Sequence, residues 1–170
     1  MHRATSDDVA RVAPLFDAYR VFYGRPSDLD AARDFLTRRI ERDESVVLVA
    51  SAESAAGPDV AVGAAEEVAG FAQLYRSFSS VSLGPIVILN DLYVEAPHRQ
   101  AGVGRALVEA AAAYAAREGA IRLELATRRD NVRALGLYHA LGFVRDTEFS
   151  HLSLELSPRP APPQAAMRRP

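Results

Sequence analysis

An α/β fold of the α+β kind, built on a mixed sheet, is the class this sequence predicts. Three observations carry it: helical periodicity comes first in the chain, short β-branched runs follow, and a strand-turn-helix-strand-helix unit closes it. With 170 residues and 49% hydrophobic side chains, the chain can bury one ordinary core. Residues 1–157 are therefore expected to form a single domain. Residues 158–170 are a Pro-rich tail, expected to be disordered or extended.

Each element has its own signal. Thr5 or Ser6 can cap a helix whose apolar residues Val9, Val12, Leu15, Phe16, Tyr19 and Phe22 recur every three or four positions. Ahead of it, residues 1–4 offer at most a weak first strand. A second helix should run from Ser27 or Asp28 to about Arg42, with Leu29, Ala32, Phe35, Leu36 and Ile40 inward. Ser45-Val46-Val47-Leu48-Val49-Ala50 is short, apolar and β-branched, hence a strand. Residues 51–65, with Gly57-Pro58-Asp59, read as a loop.

Strands follow at 68–75 and 86–94, joined by a Ser-rich turn through 77–84. Val103, Leu107, Ala111 and Tyr114 then mark a helix that Gly119 ends. Ile121-Arg122-Leu123-Glu124-Leu125 alternates as a strand, and Asn131 caps a helix carrying Leu135, Tyr138 and Leu141, closed by Gly142-Phe143. The last strands are expected at 143–149 and 151–156.

Composition narrows the function classes. The chain has no cysteine, and His2, His98, His139 and His151 show no ligand spacing, so disulfides, thiolate nucleophiles and a metal site are not expected. A formal net charge of -2 argues against nucleic acid as a main partner. No apolar run approaches the ~18 residues of a membrane span. Without an apolar signal core behind the first residues either, a cytoplasmic protein with no membrane partner is expected.

The chemistry concentrates in Val94-Glu95-Ala96-Pro97-His98-Arg99-Gln100-Ala101-Gly102-Val103-Gly104-Arg105, where a strand breaks into a turn and the turn opens into a helix. A helix start leaves several N–H groups without partners and carries partial positive charge, which suits an anion. Each glycine costs about 1 kcal/mol relative to Ala in a helix, so Gly102 and Gly104 point to a close approach to backbone. Asn90 and Asp91 interrupt a strand otherwise written for burial. Unpaired buried polar groups cost roughly 1–3 kcal/mol, so a bulge or a wet cleft is expected at mid-strand.

Arg99-x-x-Gly102-x-Gly104, followed by Asn131-x-x-Ala134-x-x-x-Tyr138-x-x-Leu141-Gly142-Phe143, resembles the GNAT superfamily of acyl-CoA N-acyltransferases. The resemblance implies a mostly antiparallel central sheet flanked by helices, with a splay between two central strands. It implies acetyl-CoA as cofactor, its diphosphate on the backbone of Arg99, Gln100, Ala101, Gly102, Val103, Gly104 and Arg105. Main-chain groups near Leu92, Tyr93 and Val94 would hold the pantetheine arm, and Asn131 would hydrogen-bond the cofactor or serve only as a cap. Tyr138 would protonate the departing thiolate, against a plain core role.

Without cysteine, direct attack of an amine on the thioester is the simplest route. An amine of pKa ~10.4 pays about 4–5 kcal/mol to be neutral at pH 7, so a proton acceptor is needed. Asp91 is the candidate, its bland alternative being a carboxylate that ties down a bulge. Relatives that acetylate polyamines have Glu-Asp where this chain has Asn90-Asp91, and an amide is no base. The acceptor, a small-molecule, amino-acid or peptide amine, should meet 19–34 and 71–82. Tyr19, Phe22, Tyr23, Tyr75 and Phe78 could line its site, although the spacing of Tyr19 and Phe22 suits core packing better. A non-catalytic acyl-CoA-binding module is the competing class, and homodimerisation through the sheet edge stays open. A P-loop nucleotide binder is disfavoured, since no Gly-x-x-x-x-Gly-Lys-Ser/Thr run exists.

Overall fold

The computed structural model describes residues 1–52 and 67–156, so most of the 51–65 loop and the 158–170 tail lie outside the described residues. Strand β1 (His2–Arg3) is only two residues long, and a single 3-10 turn at Ser6–Asp8 leads into helix α1 (Val9–Phe22). The start is held by the Asp8 carboxylate, which accepts from the Thr5 backbone N–H at 2.9 Å. Helix α2 (Leu29–Glu41) opens on Asp28, whose side chain accepts from the Ala31 N–H. Asp17 locks the two helices together by accepting from the Asp28 N–H at 2.9 Å and the Ser27 hydroxyl at 2.5 Å.

Strands β2 (Val46–Ser51), β3 (Val68–Ser79) and β4 (Gly84–Val94) pair antiparallel, and β5 (Leu123–Leu125) pairs parallel to β4. The sheet order is β1-β2-β3-β4-β5. The β3–β4 hairpin is longer than expected, because Ser77, Phe78 and Ser79 continue the ladder opposite Ile86, Pro85 and Gly84. Helices α3 (Val103–Arg117) and α4 (Val132–Ala140) are the remaining regular elements among the described residues. Among its described helices none is long and apolar enough to cross a membrane.

Strand alternation splits the core across the two faces of the sheet. Val46, Leu48, Ala50, Ala72, Leu74, Val87 and Leu89 pack against Leu107, Val108, Ala111 and Tyr138 from α3 and α4. Val47, Val49, Val68 and Phe71 face the other way, against Val12, Phe16, Ala32 and Leu36 of α1 and α2. The sheet is thus sandwiched between two helical layers.

One expectation fails. Residues 143–156 form no strand, neither at 143–149 nor at 151–156. Alternation specifies which face a strand would bury but not its partner, and in the single chain this segment pairs with nothing.

Candidate active site

The site begins with a defect in β4. Gln73 pairs with Asp91 and Leu74 with Leu89, so Asn90 is the extra residue of a bulge. On the other side, β4 pairs with β5 only through Val87, Ile88 and Leu89. Beyond that point the two strands part, and a cleft of about 660 Å³ opens between Leu92, Tyr93 and Val94 on one side and Ala126 and Thr127 on the other. The polar interruption of the sequence thus coincides with both a bulge and a splay.

At one end of the cleft lies the glycine turn. Residues 96–98 make a 3-10 turn, and the Arg99 N–H is spent on the Ala96 carbonyl at 3.3 Å. Gln100 (φ 67°) and Gly102 (φ 83°) both take the left-handed region and turn the chain into α3. The first N–H with a helical partner is that of Ala106, 3.0 Å from the Gly102 carbonyl. Among the described residues, the backbone N–H groups of 100–105 meet no protein acceptor. A Cβ built on Gly102 would meet nothing within 4 Å, so the space over this amide cluster is open.

The charge of the lining matches. Arg99, Arg105 and Arg133 border the cleft, while none of the described lining residues is a carboxylate. Arg99 folds inward, its Nε donating to the Val94 carbonyl at 2.9 Å and its guanidinium lying 5.6 Å from the Tyr93 ring centre. Arg128, by contrast, is taken up by Asp130. Val103 turns its side chain into the core, and Ala101 sits exposed in the turn.

Tyr138 comes from α4, whose first turn is capped by Asn131. That side chain accepts from the Ala134 N–H at 3.3 Å and donates to the Thr127 hydroxyl at 3.4 Å, so capping and lining are done by one residue. Tyr138 is buried against Phe143, ring centres 5.6 Å apart, and still borders the cleft. Burial, with the Tyr23 phenol adding to it, pushes its pKa up to about 12.

Asp91 is not on the cleft wall. It is buried behind Asn90 and Tyr19, accepting from the Asn90 amide at 3.0 Å with the Tyr19 phenol beside it. Burial raises its pKa above the ordinary carboxylate value, opposed by the Asn90 amide and the neighbouring Tyr19 phenol. Tyr19 does what the sequence spacing did not favour: it packs on Phe16, Phe71 and Tyr93, yet reaches the cleft. Burial and the neighbouring Asp91 raise its pKa as well. Phe22 and Tyr23 also line the cleft, Phe22 being exposed rather than core, whereas Tyr75 and Phe78 do not reach it. Arg133 and Leu137 were missed; their spacing after the Asn131 cap, two and six residues, was the available signal.

Comparison with known proteins agrees with this geometry. The sequence model of the acetyltransferase (GNAT) family matches residues 13–143. The uncharacterized N-acetyltransferase YhfO of Bacillus subtilis (strain 168) is 42% identical over 156 residues, covering 92% of this chain and 97% of that protein. The thialysine N-epsilon-acetyltransferase of Bos taurus is 36% identical over 75 residues, 44% of each chain. A crystal structure of a probable acetyltransferase superposes with a TM-score of 0.81 at 37% identity, covering 93% of this chain and 98% of the other.

Proposed function

Because the chain belongs to the acetyltransferase (GNAT) family, we propose that it moves the acetyl group of acetyl-CoA to a primary amine of a small molecule, amino acid or peptide, by direct attack with both substrates bound. The observation that carries this reading is the gap between β4 and β5, with unpaired amides and three arginines and no acidic lining residue among those described. Such an opening fits a long cofactor that carries phosphates at one end and a thiol at the other. Bound there, acetyl-CoA supplies an activated acyl thioester.

The residues divide the work. Amides of 100–105, with Arg105, hold the diphosphate, and β4 backbone at Leu92, Tyr93 and Val94 lies along the arm. One well-placed amide on a developing oxyanion is typically worth about 2.7–4 kcal/mol. Tyr138 keeps its proton up to about pH 12 in the free protein, so it remains a donor for the departing thiolate at neutral pH. Asn131 positions the wall through its cap and its Thr127 contact.

The amine's proton leaves towards Asp91. Since the carboxylate is set behind the cleft wall, Tyr19 relays it: the phenol oxygen takes the amine's proton while its own O–H proton passes to Asp91. Burial raises the Asp91 pKa and so makes it a stronger base than an exposed aspartate.

A thiol-release assay over a panel of amines tests the proposal, paired with calorimetry of CoA binding. Turnover of at least one amine is the expected result. CoA binding without turnover of any would favour the non-catalytic module instead, and no CoA binding would remove the reading altogether.

A further inference from the structure

Aromatic rings gather where the end of α1 meets the cleft. Tyr19 and Tyr23 lie close enough to Tyr138 for the phenols to interact electrostatically, so the end of α1 borders the same space as the proposed acid. The ring of Phe22 stands 5.2 Å from that of Tyr23 and nearly perpendicular to it, and Tyr19 meets Tyr23 edge-on at 5.0 Å. A helix stop holds these rings in place. Gly24, at φ 80°, donates its N–H to the Val21 carbonyl at 2.9 Å, and the Arg25 N–H donates to the Arg20 carbonyl at 3.1 Å. Phe22 has the spacing of a core residue, yet it belongs to neither core cluster. It lines the cleft at 59% exposure, with Tyr23 beside it at 39%, so apolar ring surface is left uncovered there.

Charge decides what can cover it. None of the described lining residues is a carboxylate, and the charges that border the cleft are arginines. Asp91 stands behind the wall beside Tyr19, one carboxylate for one ammonium group. A diamine or polyamine would bring further ammonium groups into a cleft whose described wall offers them no counter-charge. Exposed rings hold an ammonium only weakly. An aryl group instead finds partners: rings pack offset or edge-to-face at centroid distances of about 4.5–7 Å, and Phe22 and Tyr23 already stand in that relation to each other.

We propose that the acceptor is an arylalkyl monoamine, its ring packed on Phe22 and Tyr23 and its nitrogen directed at Tyr19, and that polycationic amines are poor substrates. This rests on the transfer reading given above and names its acceptor class. Phe22 is then a specificity-determining residue rather than a catalytic one. As the last residue of α1, exposed and outside both core clusters, it can be replaced without opening the core.

Steady-state rates of the full-length protein at saturating acetyl-CoA, with 2-phenylethylamine, ethylamine and 1,4-diaminobutane as acceptors, test the proposal. For 2-phenylethylamine kcat/KM should exceed that for either other amine by roughly 10–100-fold, the range that burial of a phenyl group supports. Phe22→Ala should cut the preference for 2-phenylethylamine over ethylamine about tenfold. Phe22→Glu, which supplies the absent carboxylate, should raise 1,4-diaminobutane relative to ethylamine. A cooperative melt checks that each variant is folded, and the ranking by the parent protein decides where one is not. A diamine used as well as or better than 2-phenylethylamine, or no preference between 2-phenylethylamine and ethylamine, would overturn the acceptor class and leave the transfer reading standing. An aryl preference unchanged in folded Phe22→Ala would overturn the aromatic wall. Turnover of no amine at all would remove the transfer reading and this proposal with it.

Discussion

Placing a glutamate at Gly102 separates the fold of the glycine turn from its work. Gly102 sits at φ 83° and ψ -7°, where a Cβ costs about 1–2 kcal/mol in an L-residue. No atom lies within 4 Å of that Cβ, so backbone strain is the whole folding penalty. In a domain of this size each 1 kcal/mol moves Tm by roughly 2–4 °C, so Gly102→Ala and Gly102→Glu should both melt about 2–8 °C lower. Their CoA affinities should differ much more. Two like charges ~5 Å apart at an effective dielectric of ~20 repel by about 3 kcal/mol, and solvent and salt at this rim halve it. Against two phosphate charges the glutamate therefore costs about 3 kcal/mol, roughly 100-fold in Kd. Calorimetry at 0.15 M salt reads the affinity, and a thermal melt confirms folding. A folded Gly102→Glu variant that binds CoA within threefold of the parent would refute the diphosphate cradle.

Tyr138→Phe should lower kcat about 100-fold or more and leave CoA affinity within twofold; unchanged kcat would remove the acid role. Asp91→Asn and Tyr19→Phe should each suppress turnover, and the double variant should be no worse than the more damaged single, whereas multiplied losses would break the relay. The Asp91 pKa is higher in the folded protein than in the unfolded one, so its charge works against the fold as pH rises above about 4. Melting of Asp91→Asn relative to the parent should therefore improve from pH 4 to pH 8; the opposite trend would contradict a raised pKa. Asp17 is the reverse case: hydrogen bonds from the Asp28 N–H and the Ser27 hydroxyl lower its pKa below 3.8. Its contribution is present above that value and fades as pH falls through the lower folded pKa. Asp17→Asn should thus melt lower than the parent at pH 7, by a margin that narrows below pH 4; a constant margin would argue against the linkage.

Local signals were legible where the residue itself pays the cost. Asn90 and Asp91 cannot sit unpaired in a buried run, and the structure answers with a bulge and a splay at that point. Gly102, Asn131 and Asp28 announced helix starts because orphan N–H groups need a left-handed turn or a side-chain oxygen. What stayed hidden depends on tertiary neighbours. Tyr19 has core spacing, and only its packing on Phe71 and Tyr93, beside the splayed strand, brings it to the cleft. Likewise, Asp91 alternates correctly for a cleft-facing base, yet the bulge at Asn90 shifts it by one position to the buried side.

That shift ties chemistry to stability. A bulge inserts one residue, and one residue is enough to exchange inward and outward faces. Here it sends the amide of Asn90 to the wall and the carboxylate of Asp91 into the interior, where burial raises its pKa. An exposed aspartate would be almost fully ionised at neutral pH and too weak a base for an alkylamine. The same displacement that breaks the β4–β5 ladder and opens the cleft also produces the basicity the proposed transfer requires. A regular strand here would have neither the opening nor the base.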